Sequence, residues 1–203
     1  MKRFFVTHSY DMVKMFLNQF AIAIFGFSLV LAVGKAENDT LRNIISVFAI
    51  VFYLFLLYTM TWDIGFKDRI AVTNGRQKRN PYKGALIALC ANIPNFIFAI
   101  FIALAHIPSA PDFIHSIGAV CSFLALALEG MYTGLLAISV GGTPLNAMWF
   151  MYFLLPLPAI LTCGISYGMG LNDIKLIAGF NAPKPTTRTP EKKDNNHDET
   201  SDL

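Results

Sequence analysis

Charged side chains are scarce in this chain. Lys, Arg, Asp and Glu make up 14% of the 203 residues, where an average soluble domain carries about 25%. They are missing altogether from stretches such as Ile44–Thr61 and Phe113–Leu128. A water-soluble fold of this length has no means of hiding such runs, so a freestanding soluble domain is excluded. Cysteine is rare too. Cys90, Cys121 and Cys163 all fall in apolar stretches, with no Cys-x-x-Cys pair and no histidine at ligand spacing. That pattern suggests neither a disulfide framework nor a zinc site, and the three read as small packing residues. The His-Glu-x-x-His helix, the Gly-x-Ser-x-Gly elbow and the Gly-x-x-x-x-Gly-Lys phosphate loop are absent, which argues against an enzyme and excludes an ATPase in this chain. Nothing calls for a cofactor. Basic residues form no extended face and accompany no reader motif, so nucleic acid is not an expected partner.

What the sequence has in quantity is apolar surface: 55% hydrophobic residues, with 18 Phe, seven Tyr and two Trp. The strand-type alternation of a membrane barrel is missing, which leaves helices as the spanning form. About 20 apolar residues at 1.5 Å each cross a hydrocarbon layer of roughly 30 Å. The expected fold is therefore all-α, a polytopic transmembrane helical bundle with spans at about 16–34, 43–64, 84–107, 113–139 and 147–170. A basic amino terminus (1–15) precedes this single domain and a tail (171–203), disordered from about 181, follows it. The first apolar run is too long for a signal core and is not followed by a small-x-small cleavage pattern, so it is expected to stay as a span. The fourth stretch is interrupted by Glu129-Gly130. Broken there into a span plus a half-helix, it changes the count from five to six, or becomes re-entrant, and moves the tail to the other side.

Topology follows from the connectors. Residues 65–83 carry Lys67, Arg69, Arg76, Lys78, Arg79 and Lys83 against Asp68 alone. The positive-inside rule makes that loop cytoplasmic, and the basic amino terminus, two spans away, agrees. With five crossings the rule places 140–146 inside and the tail outside. Short connectors suit a bacterial plasma membrane. Asn74-Gly75 predicts a tight, hairpin-like turn in the basic loop. Its cations are candidates for binding lipid headgroups of the bilayer or a second protein subunit.

Polar groups inside hydrocarbon are costly and are functional candidates for that reason. Glu129 is the acid deep within a span, and Asp63 ends the second. Asn92 and Asn95 flank Pro94, which cannot donate its backbone bond. On straight helices Glu129 lies about 24 Å from one border and Asn92 about 12 Å from the other. The four are expected to share a cytoplasm-facing pocket for a substrate or ion, with Lys67 or Arg69 as counter-charge; the alternative is that Asp63 only pairs with Lys67 and the two Asn only satisfy the kink. Gly130 and Gly134, and Gly164 and Gly168, have the four-residue spacing of close helix packing, within the bundle or in a homo-oligomer. His106, Asp112 and His115 bracket an outer turn, but no metal site is expected from them. Two function classes remain. A small carrier or membrane-embedded substrate-binding subunit of a transporter gives Glu129 a role; a non-transporting accessory or scaffold subunit accounts better for the small size.

Overall fold

No proline precedes Pro81, and up to that point the chain forms two long helices, α1 (Lys2–Gly34) and α2 (Asp39–Thr73). The computed structural model describes residues 2–34 and 39–176; the tail expected to be disordered from about 181 lies outside the described residues. From Pro81 onward, Pro and Gly divide the helices. A bend of 54° at Asn92 separates α3 (Lys83–Ala91) from α4 (Ile93–Ala105). Pro94 occupies the first turn of α4, the position in a helix where its missing N–H costs least. After Pro111, α5 (Asp112–Leu128) runs to Glu129-Gly130, where a 3-10 turn over Gly130–Tyr132 leads into α6 (Thr133–Leu136) at a bend of 82°. A two-stranded hairpin follows, β1 (Ser139–Val140) with β2 (Thr143–Pro144). Its turn residues Gly141 and Gly142 have φ of 63° and 83°, the sign that a type I′ turn demands at both positions. The last elements are α7 (Met151–Leu154) and α8 (Leu157–Leu171), joined at Pro156.

The helix α8 lies against α2 and α3, and α4 packs on α5. Gly118 of α5 faces Phe101 and Ala105 of α4, so those two form an antiparallel hairpin whose register brings Leu128 to the level of Ile93. The bundle has two ends. At one, α1 stops and α2 begins; Gly134 of α6 meets Arg42 and Ser46 there. At the other, α2 stops and α3 begins, and Tyr167 of α8 meets Gly65 and Gly84. Thus α5 descends to mid-bundle, the elbow turns, and α6 returns toward the α1–α2 end. The expected position of 140–146, beside the basic segment, is corrected: the hairpin lies at the opposite end, because Gly130 packs against the Ala23 carbonyl and turns the chain back. It is α7 with α8 that then travels the length of the bundle.

Three continuous segments are long and apolar enough to cross a membrane, His8–Ala32, Thr40–Thr73 and Met151–Leu171, or up to five if each bent pair counts as one. Tyr53, Leu57, Ile87, Met131 and Cys163 form the centre of the core. The outer faces carry large apolar side chains, among them Val51, Phe123 and Ile165 at 60%, 72% and 64% exposure.

The expected basic loop 65–83 is half helix. Apolar character ends near Ile64, but α2 continues to Thr73. Asn74-Gly75 closes it as a Schellman cap rather than opening a hairpin: Arg76 N–H donates to the Ala71 carbonyl at 2.9 Å and Gly75 N–H to Val72 at 3.0 Å, with Gly75 at φ 68°.

Candidate functional site

Glu129 stands at the elbow. It is the last cap residue of α5 (φ −103°, ψ 26°), and its N–H donates to the Ala125 carbonyl at 2.8 Å. Because Gly130 lets the elbow touch the backbone of α1, the Glu129 side chain reaches Gln19, whose Nε2 donates to Oε1 at 3.0 Å. Both side chains are buried. Tyr53 of α2 and Tyr132 of the 3-10 turn lie within electrostatic reach of the carboxyl group, and Cys163 of α8 is in reach of Tyr53. The Tyr132 hydroxyl is buried without a hydrogen-bond partner among the described residues. Ser46 of α2 donates to the Met131 carbonyl at 2.6 Å and pins the turn from its far side. No cation faces Glu129 in this set. Gln19 and the two tyrosines were missing from the sequence-derived candidates, although an amide within Phe16–Val33 is a polar group in an apolar run and was open to the same argument as Asn92.

The other candidates do not join this cluster by hydrogen bonds. Asn92 Nδ2 donates to the Ala88 carbonyl at 2.9 Å, and Asn95 Nδ2 donates to Asn92 Oδ1 at 2.9 Å; the two amides serve the α3–α4 break. The Asn95 Oδ1 atom is buried and without a partner among the described residues. By the register of the α4–α5 hairpin, the breaks at Asn92 and Glu129 fall at one level. Asp63 is elsewhere. It is about half exposed and pairs with Lys67 at 2.5 Å, four residues on along α2, an exposed pair of little energetic weight.

The basic residues divide sharply. Arg69 pairs with Asp173 at 2.6 Å, and Arg79 donates to Asn172 Oδ1 at 2.7 Å. Trp62 Nε1 donates to the Ile174 carbonyl at 2.7 Å, and Leu176 N–H to the Tyr58 hydroxyl at 3.1 Å, so residues 172–176 run along α2. Lys83 is not a surface cation. It is buried and paired with Asp68, which also accepts from the Tyr167 hydroxyl. Arg76 and Lys78 are exposed and have no side-chain partner among the described residues. Arg76, Lys78 and Arg79 are the exposed cations of this segment that make no ion pair among the described residues, Arg79 being hydrogen-bonded only to a neutral amide. Asp68, the lone acid among six basic residues, was the visible signal of an internal pair.

Gly130 and Gly134 abut Ala23 of α1 and Ser46 of α2, as close-packing glycines do. Gly164 faces Ala85, whereas Gly168 faces open space; α8 approaches α2 closely at Gly170, against Trp62 and Phe66. His106 Nδ1 lies 3.3 Å from the Ile102 carbonyl oxygen of its own helix. Among the described residues no three His, Cys, Asp or Glu side chains converge on one point.

No protein-family model, no curated protein and no solved structure matches the chain. The class rests on the fold itself: a mostly helical, all-α chain with three to five helices long and apolar enough to span a membrane, and a buried acid–amide pair at a helix break.

Proposed function

We propose that the chain is a multi-pass membrane carrier, or the substrate-binding membrane subunit of a transporter, in which Glu129 handles the coupling ion. The exposed apolar faces support the membrane reading, since large contiguous apolar patches are rare on soluble monomers. With 35 residues, α2 is about 52 Å long and overreaches the hydrocarbon layer, which suits its polar last turns. The positive-inside rule assigns Lys2, Arg3 and the Arg76–Lys83 segment to the cytoplasm. On that reading residues 172–176 are cytoplasmic and the 139–144 hairpin faces outward. The short connectors suit a bacterial plasma membrane.

One observation carries the carrier reading: a buried carboxyl group at the C-terminal end of a broken helix, with one neutral amide as its hydrogen-bond partner. Burial penalises a lone negative charge, and the negative pole of the α5 dipole opposes it as well. A proton or a cation arriving at Glu129 offsets both. Broken helices whose ends meet an acid at mid-membrane are the recurring way in which carriers bind coupling ions. The test is charge displacement by the purified protein in proteoliposomes on a solid-supported membrane, after a jump in pH or in Na⁺. A transient that is present in the wild type and absent in Glu129→Gln is expected. No transient for either ion, or one that Glu129→Gln leaves intact, overturns the reading.

A second reading, an accessory or scaffold subunit, is favoured by the exposed Arg76, Lys78 and Arg79. It predicts that charge reversal at these three removes a stoichiometric partner seen by native mass spectrometry.

A further inference from the structure

Between α1 and the elbow lies a cavity of about 480 Å³, lined by Phe20, Ile24 and Phe27 of α1, Leu126 of α5, Leu136 of α6 and Asn146. Its size falls within the roughly 300–1,000 Å³ of small-molecule sites. Its polar inventory is short. Ser28 and Thr133 also line it, but their hydroxyls already donate to the carbonyls of Ile24 at 2.8 Å and Gly130 at 2.7 Å. The Asn146 amide is the lining side-chain group without a hydrogen-bond partner among the described residues. Beyond that one amide the wall offers no partner to an ion, a sugar or a zwitterion, whose polar groups need several once they leave water.

The cavity also has a direction. From Phe20 to Ser28 it follows α1 for about 12 Å. Ser28 and Asn146 belong to the α1–α2 end of the bundle, while Phe20 is near the middle, one residue from Gln19. Several of its lining side chains are themselves exposed: Ile24 at 52%, Phe27 at 45% and Phe123 at 72%. It therefore opens sideways onto the surface that contacts an apolar medium.

We infer that this cavity binds one alkyl chain of a bilayer amphiphile, polar end at Asn146 and tail toward Phe20, and that such amphiphiles are the substrate class. The inference rests on the carrier reading above. Leu126, Ala127 and Thr133 of the wall lie within four residues of Glu129 in sequence.

The test uses palmitic acid bearing a mid-chain diazirine, photolysed with the full-length protein in phosphatidylcholine nanodiscs, with adducts mapped by mass spectrometry. Saturable labelling of residues 20–28 and 123–137, competed by unlabelled palmitate, is expected. In Ala127→Trp, which puts a large side chain at the cavity wall, labelling falls to the level at Leu161 and Ile165 on the exposed face of α8. In the surface variant Asn146→Leu, palmitate competes less well while the labelled positions stay the same. Labelling of the cavity no stronger than at Leu161 and Ile165, or not competed, means ordinary bilayer contact and overturns the inference. Labelling needs no ion and persists in Glu129→Gln. Its failure beside an intact charge transient removes the cavity assignment alone; the converse removes the carrier reading.

Discussion

Lys83 Nζ lies 2.6 Å from Asp68 Oδ2, with the two side chains only 6% and 14% exposed, and the Tyr167 hydroxyl donates to the same carboxylate oxygen at 2.7 Å. Three helices meet in that contact: the polar last turns of α2, the first residue of α3 and the end of α8. Removing one partner of a buried pair leaves an uncompensated charge and costs about 3–5 kcal/mol, whereas replacing both with neutral groups costs far less. Lys83→Met is therefore expected to lower the thermal midpoint in detergent sharply, and Asp68→Asn combined with Lys83→Met to recover most of the loss. Equal midpoints for the single and double variants would show that packing, not charge pairing, holds this joint.

At the elbow the expectation separates stability from function. Glu129→Gln keeps a side chain that accepts from Gln19 and buries no charge, so its midpoint should stay within about 1 kcal/mol of the wild type. Gln19→Leu strips the carboxyl group of its hydrogen-bond partner and should cost about 1–3 kcal/mol. Both are read by thermal unfolding in the same detergent. If Glu129→Gln falls as far as Gln19→Leu, the carboxyl group is a structural element rather than an exchange site.

Glycines with similar sequence spacing should respond differently. A Cβ on Gly130 would run into the Ala23 carbonyl oxygen of α1, backbone that cannot step aside, whereas one on Gly168 meets nothing within 4 Å. Gly130→Ala should cost about 1–3 kcal/mol by overpacking. Gly168→Ala should be neutral or gain up to about 1 kcal/mol, since Ala restricts the unfolded chain. Unfolding midpoints of the two variants, measured side by side, decide it; similar losses at both would contradict the packing described for α1 and the elbow.

How much of this is legible in the sequence follows from the range of each interaction. Apolar runs located the two long helices, though α1 begins at Lys2 rather than near 16, and Asn92-Ile93-Pro94 announced the α3–α4 break, because these are local effects. The interruption at Glu129-Gly130 was legible too, but not its angle. The 82° bend depends on Gly130 meeting Ala23, a contact between segments far apart in the chain. Hydropathy marks where apolar character stops, not where hydrogen bonding stops, so α2 outran its expected end at Ile64 by nine residues to Thr73. Lys83 reads as a loop cation in the sequence because its pairing with Asp68 exists only once α2 and α3 lie side by side. The depths estimated for Glu129 and Asn92 assumed straight helices. Asp63 is half exposed and paired with Lys67 on α2, whereas Glu129 is buried at the elbow beside Gln19.

The elbow makes a prediction about sidedness that a straight fourth span does not. If α5 and α6 enter and leave at one end, the 139–144 hairpin and the Arg76–Arg79 turn lie on opposite sides of the membrane. With the native cysteines replaced by Ala, Thr143→Cys should react with an impermeant maleimide added to intact cells, and Arg76→Cys only after the cells are opened. Both positions are exposed, so access rather than burial controls the reaction. Ile174→Cys should behave like Arg76→Cys, because Ile174 is held against Trp62 at the end of the bundle where α2 stops. Labelling of Thr143→Cys and Arg76→Cys from the same side would make 112–136 a true crossing. That result would take Glu129 out of a re-entrant elbow and leave it as a buried acid within an ordinary span.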